Sequence, residues 1–77
     1  MAEQTIPVDG TSAPIEVPPL KLFGVDTDAA ITIYSKGGSV IWNTREAMTC
    51  RICFAPNNQI TIKATNGTAN VILTTED

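Results

Sequence analysis

The sequence predicts a small all-β domain, an antiparallel sandwich or barrel built from hairpins, with an extended N-terminal arm. Three observations carry that expectation. Apolar and polar residues alternate with a period of two in QITIKAT and again in TANVILT, which is the spacing of a strand with one covered face. From Leu20 onward, turn-forming clusters recur at about the eight-to-twelve-residue spacing of small sandwiches and barrels. No window repeats apolar residues at i, i+3 and i+4, and the one helix-tolerant patch, TREAM, spans only about one turn.

Residues 1 to 19 form the arm, and residues 20 to 77 form the single β domain. The arm holds four of the five prolines, and each removes a backbone donor while favouring an extended neighbour. Ile6, Val8, Ile15 and Val17 have strand spacing, so the arm is expected to lie on something. With Leu20, these are the expected partner-binding residues, reaching onto a neighbouring chain or a larger surface. A floppy leader or an edge strand of the same domain is the alternative, because termini are poorly ordered unless tied down and proline is tolerated where one side of a strand needs no ladder bond.

Strands are expected over residues 20 to 25, 29 to 35, 39 to 43, 48 to 54, 59 to 65 and 68 to 74. Asp26-Thr27-Asp28, Lys36-Gly37-Gly38, Thr44-Arg45-Glu46 and Pro56-Asn57-Asn58 supply the breaks. Asn66-Gly67 is the pair favoured by a two-residue type I′ turn, whose two central residues both need positive φ. The last two strands are therefore expected to form a hairpin, with Ile60, Ile62 and Ala64 on one face beside Ala69, Val71 and Leu73.

The chain has 77 residues and only four aromatic side chains, so its core must be thin and aliphatic. Domains of that size often draw extra stability from disulfides, metals or association. A net charge of -3 and scattered cations (Lys21, Lys36, Arg45, Arg51, Lys63) argue against nucleic acid, which needs a clustered basic face. No stretch approaches the roughly 20 apolar residues of a membrane-spanning helix, and MAEQTIPVDG lacks the order of a signal peptide. Synthesis in the cytoplasm is the expectation.

Cys50 and Cys53 fall in MTCRICF, which alternates as a strand; three residues apart in a regular strand means opposite faces. The two thiols are therefore expected to stay free, barring a local bend, and no histidine or second cysteine pair completes a zinc site. Without histidine the usual general base is absent, and most carboxylates sit in turns or at the ends. Asp26 and Asp28 lack the glycine and distant glutamate of a calcium loop, so turn chemistry explains them better. SKGGS lacks the phosphate-loop frame and is a turn. Trp42 shares a strand face with Val40, which favours burial over an exposed binding platform. The chain is expected to be non-enzymatic and to use no cofactor or metal.

Taken together, AITIYSKGGSVIW and FAPNNQITIKATNGTANVILTTED resemble the small β-rich virion proteins of tailed bacteriophages, such as capsid decoration or cement proteins. The resemblance covers roughly residues 24 to 77 and is one of pattern and composition. It implies a structural role on the virion capsid surface, in which copies, often homotrimers, bind the major capsid protein and bridge neighbouring subunits. It carries over no catalytic residue, and the cysteines lie outside the pattern. A fibre, neck or tail module that binds a host receptor or glycan is the alternative.

Overall fold

Seven strands make up the computed structural model, which describes residues 2 to 75 and contains no helix among them. They are β1 (Ala2–Thr11), β2 (Ile15–Glu16), β3 (Leu22–Thr27), β4 (Ile31–Ser35), β5 (Val40–Asn43), β6 (Met48–Phe54) and β7 (Gln59–Thr75). All pairings are antiparallel, and the sheet curls into a nearly closed barrel. The all-β expectation holds, and β3 to β6 fall close to their expected positions.

The expected C-terminal hairpin does not form. Residues 59 to 75 run as one long strand, and no pairing joins 60–65 to 68–74. β7 instead has partners along both edges. β1 and β2 line one edge, from Ala2 opposite Thr75 to Ile15 opposite Ile60. β3 and β4 line the other, from Phe23 opposite Thr75 to Ser35 opposite Ile60. β6 then pairs with β3, and β5 with β4.

Backbone geometry explains the outcome at Asn66-Gly67. Gly67 has φ +105°, but Asn66 is not in the positive region, so the paired requirement of a type I′ turn is unmet. Gly67 instead sits in an irregular stretch. Between Asp9 and Thr11 the register jumps from Thr68 to Lys63, leaving residues 64 to 67 of β7 opposite Gly10, which itself has φ +72°. Residues 64 to 67 are thus three more than the one residue they face, and an odd excess exchanges a strand's faces. That exchange lets even-numbered Ile60, Ile62 and Ala64 and odd-numbered Ala69, Val71 and Leu73 all point into the barrel, where each is buried.

The N-terminal segment belongs to the same sheet, which corrects the expectation that it reaches onto a neighbour. Val8, Ile15 and Val17 are in the core, and Ile6 packs against its margin. The physical reason is the length of β7: its edge would otherwise leave a long row of unpaired N–H and C=O groups, and residues 2 to 16 satisfy it. Pro7 is exposed on this strand, whose other edge carries no partner among the described residues, so its missing donor is tolerated. Beyond β2, Val17 N–H donates to Asn58 O at 3.0 Å and Leu20 N–H to Ala55 O at 3.1 Å, pinning the crossover to β3.

The core is aliphatic around one buried aromatic ring, Phe23. Ile31, Ile33, Ile60 and Ile62 are fully buried, and each contributes about 1.5 to 3 kcal/mol before ordering costs. Among the described residues, every buried side-chain nitrogen and oxygen has a hydrogen-bond partner.

Candidate functional site

The side chains left over by the core define the most distinctive surface. Leu20 is 69% exposed and Ile52 74%, and Leu22 and Phe54 also face outward. Leu22 and Phe54 stand opposite one another in the β3–β6 pair, Ile52 lies two residues before Phe54, and Leu20 is tied by its backbone to Ala55. These four residues gather along one end of β6, the outermost strand on its side, whose other edge comes near β5 but pairs with no strand among the described residues. Leu20 is also the one non-glycine residue with positive φ among the described residues, at 60°. A leucine held in that sparsely populated region, with its side chain in solvent, reflects the tight turn between β2 and β3. Of the five arm residues singled out from the sequence, Leu20 alone presents its side chain to solvent.

A bulge in β6 creates this arrangement. Phe23 pairs with Cys53 and Val25 with Cys50, so Gly24 alone stands opposite Arg51 and Ile52. The extra residue exchanges the strand's faces, turning Cys53 inward while Ile52 and Phe54 point out. Gly24 is buried beneath the Arg51 side chain, and a Cβ there would lie 3.4 Å from the guanidinium.

The same bulge corrects the expectation for the cysteines. Cys50 and Cys53 do not leave the strand on opposite faces; Cys53 Sγ–H donates to Cys50 Sγ across 3.3 Å. Both thiols are free; Cys53 is buried and Cys50 half-buried. Burial, then the hydrogen bond to Cys50 and the neighbouring charge of its thiolate form, pushes the Cys53 thiol up to about 12. The local bend that a regular strand lacks is present here, set by the pairing with β3.

Asp26 and Asp28, expected to serve a local turn, bond across the sheet instead. Asp28 accepts from the Asn70 backbone N–H at 2.7 Å and from its side-chain amide at 3.3 Å, and these bonds hold its carboxyl below the usual range. The bonded partner lies across the sheet on β7 rather than in the local loop. Asp26 accepts from the Thr49 hydroxyl, and Thr27 closes the turn by donating to Ala29 O at 2.7 Å. SKGGS is also a turn: Ser35 N–H donates to Ser39 O at 2.7 Å, and Gly38 adopts φ +90°.

Trp42 is half-buried and packs against the core. A bulge at Ile41 separates its face from that of Val40, which is exposed, so the shared face expected from the sequence is not formed. Compared with protein-family models, curated proteins and solved structures, the chain matches none.

Proposed function

We propose that this protein is a non-enzymatic structural subunit of a phage virion, which binds the assembled capsid surface and bridges or stabilises neighbouring capsid subunits. The observation that carries the reading is the apolar surface of Leu20, Leu22, Ile52 and Phe54 beside the open edge of β6. An isolated small domain gains nothing from holding large apolar side chains in water next to unpaired backbone groups. A partner that covers both gains apolar burial and added strand hydrogen bonds. Sequence pattern supports the virion setting through the resemblance described above. Because Ile6, Val8, Ile15 and Val17 are taken up by the chain's own core, the contact is assigned to the β6 side instead of the arm. Self-association, as a trimer or another closed ring, would place several such surfaces on one particle and strengthen attachment by multivalency.

The receptor-binding alternative lacks comparable support. A glycan platform usually presents an aromatic ring with polar partners in a concavity, whereas Trp42 leans on the core. The test uses purified full-length protein and a double variant, Ile52→Asp with Phe54→Asp. Sedimentation and binding to empty phage shells should both be impaired in the variant while its thermal midpoint stays near that of the parent. A parent chain that is monomeric and ignores shells would overturn the reading.

A further inference from the structure

The bulge in β6 brings together two nucleophilic groups that the structural role does not use. Cys50 and Cys53 lie on the same side of the strand with their sulfurs 3.3 Å apart, in direct hydrogen-bond contact. Accessibility divides them, since Cys50 is half-buried and Cys53 is covered. Outer access and an inner partner are the two parts of a redox dithiol: one sulfur meets the oxidant and the other resolves the product.

We propose that Cys50 and Cys53 form a redox-active dithiol site, which hydrogen peroxide closes to an intramolecular disulfide and which a small dithiol reopens. In the first step the Cys50 thiolate attacks one peroxide oxygen, the O–O bond breaks, and hydroxide leaves to be protonated to water. Cys50 is then a sulfenic acid. The Cys53 sulfur attacks the Cys50 sulfur, an S–S bond forms, the S–O bond breaks, and the departing hydroxyl takes the Cys53 proton to give a second water. Two thiols have lost two protons and two electrons, and the peroxide has been reduced to two waters. Reduction by a dithiol returns both.

The surroundings assign the order of events. Cys53 holds its proton firmly, because burial and the bond to Cys50 push its thiol up to about 12, so it reacts only once Cys50 has been activated. Geometry does the rest. The second sulfur is already in contact, and a held neighbour acts at an effective concentration far above that of a free thiol. Cys53 pairs with Phe23 and Cys50 with Val25 on the central β3, so the site rests on the sheet rather than on a mobile loop. The inference stands on this geometry alone and holds whether or not the protein binds capsids.

The experiment treats the folded full-length chain with hydrogen peroxide, quenches it with an alkylating reagent under denaturing conditions, and measures intact mass. The expected product is monomeric, two hydrogens lighter, takes up no alkylating reagent, and regains both sites after dithiothreitol. Closure should be at least about tenfold faster in the folded chain than in the chain unfolded by urea, reflecting the held sulfurs. Cys53→Ala should stop at a sulfenic acid that a 1,3-diketone traps. Three results would overturn the proposal: equal closure rates in folded and unfolded chains, disulfide-linked dimers as the main product, or over-oxidised Cys50 accumulating beside a Cys53 that still alkylates.

Discussion

β7 and β6 are both bulged strands with alternating apolar residues, yet they end in opposite situations. β7 is paired along both edges, and its bulge keeps Ile60, Ile62, Ala64, Ala69, Val71 and Leu73 in the core. β6 is paired along one edge, and its bulge leaves Ile52 and Phe54 in water while turning Cys53 in. Alternation therefore fixes that a segment is extended. An odd number of inserted residues, three in β7 and one in β6, and the number of neighbours decide which side chains are covered.

The largest expected effect comes from baring one edge of β7. Deleting residues 2 to 11 removes β1 and takes Val8 out of the core. The truncated chain should lose cooperative thermal unfolding by circular dichroism. A melt within a few degrees of the full-length protein would mean that the N-terminal strand is dispensable and that the contrast with β6 is illusory.

Truncating one isoleucine on each strand measures the same contrast more finely. Ile62→Ala, at a fully buried position, should cost about 2 to 5 kcal/mol. In a domain of this size each kcal/mol lowers the midpoint by about 4 to 8 °C. Ile52→Ala, at a position 74% exposed, should change stability by less than about 0.5 kcal/mol in the isolated chain. Comparable losses at the two positions would show that the β6 surface is already covered by another copy under the conditions used.

The bulge at Gly67 can be separated from the hairpin by two neighbouring substitutions. Gly67→Val should be destabilising by about 1 to 3 kcal/mol, since φ +105° strains any β-branched residue whatever the space around it. Asn66→Val should be nearly neutral, because Asn66 lies within a strand and outside the positive-φ region. A type I′ hairpin predicts large losses at both. Thermal midpoints of the two variants decide between these geometries.

How far the sequence was legible follows from the same residues. The approximate spans of β3 to β6 and the absence of a helix among the described residues were readable from alternation and from the Asp, Gly and Asn clusters, although β3 runs on through Asp26 and Thr27, which were expected to break it. The course of β7 was not. A two-residue hairpin and a bulged continuous strand both place Ile60, Ile62 and Ala64 with Ala69, Val71 and Leu73 on one face, so the pattern fits either. Long-range pairing broke the tie, since a continuous strand offers two edges to β1, β2, β3 and β4. The cysteine pair was hidden for a similar reason. Its bulge is set by pairing with β3 opposite Gly24, and nothing in MTCRICF marks it.

The smallest expected effect joins the β3–β4 turn to β7 through Asp28. Its carboxylate accepts from the Asn70 N–H and the Asn70 amide, and these bonds lower its proton affinity, while slight desolvation acts the other way. A carboxyl that binds its proton more weakly when folded stabilises the fold above its ordinary value of 3.8. That contribution is lost as the pH falls through the lower folded value. The group is fully exposed, so solvent screens the interaction and the effect is small. Asp28→Asn keeps an oxygen acceptor but removes the charge. Its midpoint should therefore lie slightly below the parent's at neutral pH and converge with it in strong acid. A gap that is the same at both pH values would assign the effect to hydrogen-bond shape rather than charge, and would leave the tie between this turn and β7 without an electrostatic component.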